Sequence, residues 1–157
     1  MIRVKRQAKK RPVEHVKARC REFVSRCRER EVRITMQRMA VFQALVEDTT
    51  HPTADTVYSR LRHTMPSLSL ATIYRILEML DKEGLIRRVG TANGVSRFEA
   101  NLDLHQHLVC KECGSIADIE DESLSQLQLP RTRIAGFMAE ELDIRIIGTC
   151  SECLRSA

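Results

Sequence analysis

Two Cys-x-x-Cys pairs, Cys110–Cys113 and Cys150–Cys153, constrain the fold of this chain more than any other feature of its sequence. Their 36-residue separation allows the four thiolates to meet around one tetrahedral zinc ion, which would tie two distant segments together. Four protein thiolates leave no coordination position open, so such a zinc site would be structural. Two redox-active pairs and buried thiols without a metal are the alternatives. The spacing favours zinc.

The charge along the chain indicates two modules. The 157 residues carry a net charge of +5, but residues 1–100 contain 21 basic and 11 acidic side chains, whereas residues 101–157 contain 5 and 10. The net charge is therefore +10 in the first part and −5 in the second. A basic module beside an acidic one favours a polyanionic partner for the first, and a solvated basic surface without a partner is the alternative.

The composition excludes several classes of protein. With 43% hydrophobic and 30% charged residues, the chain can build a packed core and is not typical of disordered proteins. No stretch approaches the roughly 18 apolar residues of a membrane helix, and no apolar segment follows the basic N-terminus as in a secretory signal. We therefore expect a soluble, cytoplasmic protein that does not bind membranes. Disulfides are rare in that compartment, so metal or redox use of the cysteines is favoured.

The N-terminal module has the pattern of a winged helix-turn-helix. The basic residues 1–11 predict a disordered tail, and residues 12–100 predict the DNA-binding domain. Apolar residues recur at helical spacing in four segments, and the last three segments begin at the predicted N-caps Thr35, Thr53 and Ser69.

Two strand-like runs, Leu85–Val89 and Val95–Ala100, then flank a turn that contains Gly90 and Gly94, which predicts a hairpin wing. A short amphipathic helix fits the DNA major groove, and a basic hairpin can lie along the backbone. A small helical domain with ordinary surface arginines is the alternative. The residues predicted to meet DNA are Ser69, Thr72, Tyr74 and Arg75 in the recognition helix, and Arg87, Arg88 and Arg97 in the wing.

Residues 101–157 predict a small α+β domain. Its predicted elements are the strands Leu108–Cys110, Ser115–Ile119 and Ile144–Gly148 and the short helix Ser123–Leu129. A unit of this size is marginally stable alone, so we expect the zinc ion or a dimer interface to stabilise it.

A second cluster of possible metal ligands is less specific. His105 and His107 alternate on a strand-like run, so their side chains share one face. Glu99 precedes them, Asp118 follows on the next predicted strand, and His51 lies far upstream. From spacing alone, these five residues could form a metal site, or the histidines could be ordinary surface residues.

The motifs, taken in order, resemble those of the Fur family of metal-dependent bacterial transcription regulators. The motifs are Arg33-Ile-Thr-Met-Gln-Arg38, His51-Pro-Thr-Ala-Asp-Thr-Val-Tyr58, Ser69-Leu-Ala-Thr-Ile-Tyr-Arg-Ile-Leu77, Ser96-Arg-Phe-Glu99, His105-Gln-His107 and the two cysteine pairs. The resemblance covers nearly the whole chain after the basic tail.

The resemblance implies a homodimeric repressor that binds double-stranded operator DNA and dimerises through its C-terminal domain, residues 101–157. It also implies a regulatory site for Fe²⁺ or Mn²⁺ made by His51, Glu99, His105, His107 and Asp118. Metal bound across the joint between the domains would favour one domain arrangement over others.

Residues that differ between branches of the family bear on the signal. Asp118 resembles the peroxide-sensing branch, whereas Glu99 and Arg75 resemble the iron-responsive branch. A further site of many iron regulators would need acidic or histidine side chains where this chain has Leu104, Gln106, Ser125 and Leu142. The resemblance therefore favours a peroxide-responsive repressor, with an iron-responsive ferric uptake regulator as the alternative. Peroxide acting at ferrous iron would oxidise His51 or His105 once per chain, so the protein is not predicted to be an enzyme.

Two other functions remain as remote alternatives. A thiol oxidoreductase would want a cysteine pair at a helix N-terminus, whereas both pairs here lie beside strand-like runs. A zinc-stapled interaction protein would leave the basic wing and tail unexplained.

The remaining cysteines, Cys20 and Cys27, lie seven residues apart on the apolar face of the first predicted helix. Their Cα atoms would be roughly 10 Å apart, too far for a disulfide. We expect both to be buried, unreactive thiols.

Overall fold

The computed structural model of the chain describes residues 3–4, 11–92, 94–103, 105–127, 133–134, 136–138 and 142–156. In chain order, the elements are β1 Arg3–Val4, α1 Val13–Glu29, α2 Met36–Glu47, α3 Ala54–Leu61, α4 Leu70–Lys82, β2 Arg87–Ala92, β3 Val95–Glu99, β4 Gln106–Cys110, β5 Ile116–Glu120, α5 Glu122–Ser125, β6 Arg133–Ile134, β7 Phe137–Met138, β8 Arg145–Gly148 and α6 Ser151–Arg155. One compact unit ends at Leu102, and a second starts at Asp103 and also includes β1. The fold is α+β, with a winged helix-turn-helix followed by a small α/β unit.

Three helices begin at the hydroxyl residues that the sequence predicted as N-caps. The side chains of Thr35, Thr53 and Ser69 each accept a hydrogen bond from the backbone N–H three residues later, at 3.2, 3.2 and 3.1 Å. Each bond satisfies an amide that has no partner within the first helical turn. The predicted starts of α2, α3 and α4 are confirmed.

An apolar core joins helices α1 to α4 and the hairpin. The ring of Phe23 in α1 stacks on that of Phe42 in α2, with centroids 4.0 Å apart. Leu77 and Leu80 of α4 and Phe98 of β3 are buried in the same core. Burial of each such side chain contributes about 1.5–3 kcal/mol, so the core fixes α4 and the wing within one body. None of the helices described here is long and apolar enough to span a lipid bilayer.

The two cysteines of α1 differ in exposure. Cys27 is fully buried, whereas Cys20 is only half-buried, and both are free thiols. Burial raises the pKa of each thiol. The expectation of a buried thiol is confirmed for Cys27 and is only partly met for Cys20.

The hairpin begins two residues later than the sequence predicted. Leu85 and Ile86 are buried in the helical core, and the Leu85 N–H donates to the Leu80 carbonyl at 2.9 Å. Gly84 takes a left-handed φ of 63°, which allows this turn to close α4. The apolar run therefore ends the helix before β2 starts at Arg87.

The sheet of the C-terminal unit has the strand order β1-β5-β4-β8. Strand β4 pairs antiparallel with β5 and parallel with β8, and Ile116 and Ile119 of β5 are buried. Helix α5 covers only part of the predicted segment Ser123–Leu129, whose last two residues lie outside the described part of the chain.

Strand β1 corrects the prediction of a wholly disordered tail. Arg3 pairs with Glu120 and Val4 with Ile119, in antiparallel register. The backbone groups at a sheet edge can accept another strand whatever its side chains are, so a basic segment can pair there. Of the other tail residues, Arg11 precedes α1, and residues 1–2 and 5–10 lie outside the described part of the chain.

Candidate metal centres and nucleic-acid interface

The four cysteines of the two pairs come together in the C-terminal unit. Cys110 ends β4 and pairs in parallel register with Gly148 of β8, so the chain reaches Cys150 directly beside the first pair. The sulfur atoms of Cys110, Cys113, Cys150 and Cys153 all lie within 4.8 Å of one another. The sheet register thus closes the 36-residue gap between the pairs.

The distances between these sulfurs fit a tetrahedral ion. Cys110 Sγ lies 3.9 Å from Cys153 Sγ, and Cys113 Sγ lies 3.7 Å from Cys150 Sγ. Sulfurs at ~2.3 Å from a central zinc ion occupy tetrahedral corners about 3.8 Å apart. A disulfide would bring two sulfurs to about 2.05 Å. The cluster therefore has the dimensions of a Cys₄ zinc site.

Hydrogen bonds prepare part of this cluster for a cation. Backbone N–H groups of Cys113 and Cys150 lower the pKa of Cys110 to about 6, and the Cys150 nitrogen lies 3.3 Å from the Cys110 sulfur. The hydroxyl of Ser115, 3.3 Å from Cys113 Sγ, lowers the pKa of Cys113. The neighbouring sulfurs of Cys150 and Cys113 raise the pKa of Cys153 to about 12. Without a cation, the four sulfurs therefore cannot all be thiolates near neutral pH.

The local structure around the second pair corrects one sequence argument. Cys150 is the N-cap of α6 and Cys153 lies within that helix, so this pair does not lie beside a strand alone. A helix N-terminus was the setting expected of a thiol oxidoreductase. The sulfur distances given above instead join one pair to the other, as a shared metal ion requires.

In the N-terminal unit, His51 and Glu99 form a close pair. His51 Nε2 lies 3.3 Å from Glu99 Oε2, and both residues are buried. Asp48 stabilises the loop before His51, because its Oδ1 accepts hydrogen bonds from the Thr50 N–H and hydroxyl and its Oδ2 lies 2.6 Å from Arg60. An imidazole and a carboxylate held in this way offer one nitrogen and one oxygen ligand.

In the C-terminal unit, His105, His107 and Asp118 form a second close group. His107 on β4 lies directly opposite Asp118 on β5, and its Nε2 is 3.7 Å from Asp118 Oδ1. His105 Nε2 lies 3.6 Å from the same oxygen. The Nδ1 of His105 is 2.7 Å from the Asp103 carbonyl, which can only accept, so Nδ1 carries the proton and Nε2 is the available ligand atom.

Of the four residues predicted to contact DNA from the recognition helix, three form hydrogen bonds within the protein. Ser69 caps the helix, and its Oγ lies 2.8 Å from the Thr72 hydroxyl, so both hydroxyls stabilise the helix start. The Tyr74 hydroxyl donates to Asp55 Oδ2 at 3.3 Å. Arg75 is exposed. Arg75 is therefore the side chain of α4 best placed to extend toward a nucleic acid.

The wing arginines make contacts that the sequence did not predict. Arg87 Nη1 lies 3.7 Å from Glu99 Oε1. The Arg88 guanidinium stacks 5.6 Å from the centre of the Phe98 ring and lies 3.7 Å from Asp81. Arg97 donates a 3.0 Å hydrogen bond to the backbone carbonyl of His51. Nothing in the sequence spacing signals the contact between Arg97 and His51, because they lie 46 positions apart.

Comparison with known proteins adds independent evidence. The sequence matches the profile of the Ferric uptake regulator family over residues 29–147. The peroxide-responsive repressor PerR of Staphylococcus aureus is 32% identical over 141 residues, which are 90% of this chain and 95% of that protein.

Two solved structures extend the comparison to the fold. A structure of the Helicobacter pylori ferric uptake regulator Fur, reported to have three functional metal binding sites, superimposes with a TM-score of 0.70 at 22% identity. It covers 92% of this chain and 97% of its own. A structure of PerR from Streptococcus pyogenes, reported for peroxide sensing and gene regulation, has a TM-score of 0.50 at 26% identity, covering 98% and 99%.

Proposed function

The chain belongs to the ferric uptake regulator family, and from that premise we propose that it is a metal-dependent, DNA-binding repressor that responds to peroxide. The observation that carries the peroxide response is the 32% identity to a peroxide-responsive repressor over 90% of this chain. The carboxylate of Asp118 beside His105 and His107 gives that response a chemical basis.

The regulatory metal in this proposal is Fe²⁺ or Mn²⁺. His105, His107 and Asp118 supply two imidazoles and one carboxylate, the donor set typical of non-haem Fe(II) sites with open positions. His51 and Glu99 supply one more nitrogen and one more oxygen. We propose that all five residues hold the metal, which would then favour one arrangement of the two units over others. With five protein ligands, an octahedral ion retains one position for a small molecule.

A structural zinc ion in the Cys₄ cluster is the second cofactor in this proposal. Its support is the agreement between the sulfur distances of 3.7 and 3.9 Å and the edge of a zinc–thiolate tetrahedron, about 3.8 Å. Zinc there would join the end of β4 to α6 and stabilise the small C-terminal unit.

We propose operator DNA and a second copy of the chain as the partners. The net charge of +10 over residues 1–100 favours DNA, and Arg75 of α4 is exposed as a major-groove contact requires. The C-terminal unit exposes Ile147, Leu154 and Phe137 with 71%, 65% and 77% of their surface accessible, which favours an apolar contact between two copies. A repressor acts where the DNA is, so we expect it in the cytoplasm.

The proposed response consumes one hydrogen peroxide per chain. Ferrous iron, when bound, would supply one electron to peroxide and would regain it from the histidine ring, so the iron would undergo no net change. The net change replaces a ring C–H of His51 or His105 by C–OH, with one oxygen added and one water released. Oxidation of one ligand would then weaken metal binding, and loss of the metal would weaken DNA binding. Because each chain reacts once, this is sensing and not turnover, and the protein is not an enzyme in this proposal.

The test combines DNA binding with mass spectrometry. The zinc-loaded protein is bound to operator DNA with Fe²⁺ or with Mn²⁺ under anaerobic conditions and then given a low dose of hydrogen peroxide. We expect the Fe²⁺ form to gain the mass of one oxygen on His51 or His105 and to release DNA, while the Mn²⁺ form stays bound. An Fe²⁺ form that keeps its mass and its DNA would support the iron-responsive alternative, to which Glu99 and Arg75 point.

A further inference from the structure

The backbone at His51 adopts an unusual conformation for a residue with a side chain. Its φ is 54°, in the left-handed region that glycine and asparagine favour. There the Cβ atom approaches the carbonyl oxygen, so an L-residue stays in this conformation only when its surroundings hold it.

Strand β3 supplies contacts that hold this segment. Arg97 Nη1 donates to the His51 carbonyl at 3.0 Å, and the Phe98 N–H donates to the Pro52 carbonyl at 3.1 Å. Thr53 and Arg97 also form an isolated antiparallel bridge. The loop from His51 to Thr53 therefore packs along β3, and the Arg97 guanidinium donates a hydrogen bond to the first carbonyl of this loop.

The same strand also contacts the imidazole of His51. Glu99 follows Arg97 by two residues, so both side chains leave the same face of β3. Arg97 binds the backbone of His51, and Glu99 lies 3.3 Å from its ring. These two contacts, one to the backbone and one to the ring, together fix the position of the His51 imidazole.

We propose that Arg97 is a positioning residue for the metal ligand His51 and not a contact to DNA phosphate. This inference rests on the proposed function, in which His51 binds the regulatory metal. A guanidinium used in this way is already committed to a carbonyl within the protein, unlike the exposed Arg75. Without Arg97, the strained backbone at His51 would relax and the imidazole would move away from the metal position.

The test measures Mn²⁺ affinity of the 157-residue, zinc-loaded protein by electron paramagnetic resonance. We expect Arg97→Gln to weaken Mn²⁺ binding roughly ten-fold or more, the range seen when groups that orient metal ligands are removed. DNA binding at saturating Mn²⁺ should remain within about three-fold of the unaltered protein. In a His51→Ala background, the same substitution should change Mn²⁺ affinity less than two-fold, since Arg97 acts through His51.

Arg26→Gln is the matched control. Arg26 Nη2 donates at 2.8 Å to the carbonyl of Gly84, another residue with a left-handed φ, in the same unit. This substitution removes the same kind of hydrogen bond and should leave Mn²⁺ affinity unchanged. Amide exchange in the zinc-loaded protein without Mn²⁺ gives a second measurement, in which Arg97→Gln should accelerate exchange at Phe98 and Arg26→Gln should not.

Three results would overturn the inference. The first is an equal loss of Mn²⁺ affinity from Arg97→Gln with and without His51. The second is weaker DNA binding of Arg97→Gln at every Mn²⁺ concentration together with normal Mn²⁺ affinity. The third is unchanged amide exchange at Phe98 in Arg97→Gln. If Arg97→Gln binds Mn²⁺ normally while His51→Ala does not, the inference fails and the proposed site stands. If His51→Ala itself binds Mn²⁺ normally, the proposed site fails as well.

Discussion

The Sγ atom of Cys113 lies 3.7 Å from the Sγ atom of Cys150, although 36 residues separate them in the chain. The parallel pairing of β4 with β8 creates this proximity, because it places Cys110 opposite Gly148 and brings the second pair alongside the first. The sheet holds the cluster together at one end of these strands, so a metal bound there would in turn hold the strands.

Cys150→Ser should remove zinc and unfold the C-terminal unit. Apparent binding free energies at structural zinc sites are about 10–16 kcal/mol at pH 7, as large as the net stability of a typical domain, about 5–15 kcal/mol. Zinc content, circular dichroism and sedimentation measure the loss of metal, fold and dimer together. Cys20→Ser, outside the cluster, is the control and should keep its zinc. A zinc-free Cys150→Ser protein that stays folded and dimeric would contradict the proposed role of the cluster.

Zinc uptake measured directly after chelation, before the C-terminal unit loses its fold, should release fewer than four protons at pH 7. Backbone N–H groups lower the pKa of Cys110 to about 6, so this thiol is already mostly deprotonated at pH 7, whereas free thiols with a pKa of about 8.5 are not. As the pH falls below 6, Cys110 gains its proton and the number released should rise toward four. Calorimetry in buffers of different ionisation enthalpy counts these protons. Release of four at pH 7 would mean that the hydrogen bonds to Cys110 form only after zinc binds.

Arg75→Ala should weaken specific DNA binding by about 1–3 kcal/mol if its guanidinium reads a guanine edge. Arg28→Ala is the matched control, since Arg28 is an exposed arginine of α1 and its loss removes the same charge. Titration of operator and scrambled DNA at fixed salt compares the two variants. Equal losses on both sequences would show that Arg75 contributes only charge.

Thiol labelling should distinguish the two cysteines of α1. Burial raises the pKa of both thiols, so each has less reactive thiolate at pH 8 than an exposed cysteine. Because Cys27 is fully buried and Cys20 only half-buried, iodoacetamide should label Cys20 first and Cys27 only on unfolding. Peptide mass spectrometry of native and denatured protein measures both rates. Fast labelling of native Cys27 would contradict the expectation of a buried, unreactive thiol.

Much of the fold could be predicted because its signals are local. The N-caps Thr35, Thr53 and Ser69 act within four residues of themselves, so the sequence alone located three helix starts. Strand limits depend on distant partners, so the sequence pattern predicts Leu85 in the hairpin although the residue is buried in the helical core. The pairing of Arg3–Val4 with β5 is likewise encoded by a free sheet edge and not by the two residues themselves.

The candidate sites were predictable to different degrees for a similar reason. Regular Cys-x-x-Cys spacing signalled a four-sulfur cluster, and alternation placed His105 and His107 on one face. The pairing of His51 with Glu99 came only from the family resemblance, because 47 residues lie between them and no periodicity links them. The contact of Arg97 with the His51 carbonyl had no signal at all, since an arginine in a basic hairpin looks like any surface cation.

Asp118 should determine the response to peroxide. It lies opposite His107 in the sheet register. Its Oδ1 lies 3.7 Å from His107 Nε2 and 3.6 Å from His105 Nε2. The length of this side chain therefore sets how closely the carboxylate approaches a metal held by the two imidazoles. Asp118→Glu adds one methylene to the side chain on a fixed strand, which changes the carboxylate position while keeping its charge. We expect this variant to retain Mn²⁺-dependent DNA binding within a few-fold and to lose most of its sensitivity to peroxide in the Fe²⁺ form. Intact-mass spectrometry after a low peroxide dose, with a DNA mobility shift alongside, measures both properties.

Asp118→Asn is the comparison variant. It keeps the length of the side chain but removes the charge, so it should weaken metal binding itself. An Asp118→Glu protein that gains oxygen and releases DNA as readily as the unaltered chain would show that carboxylate length does not set the response.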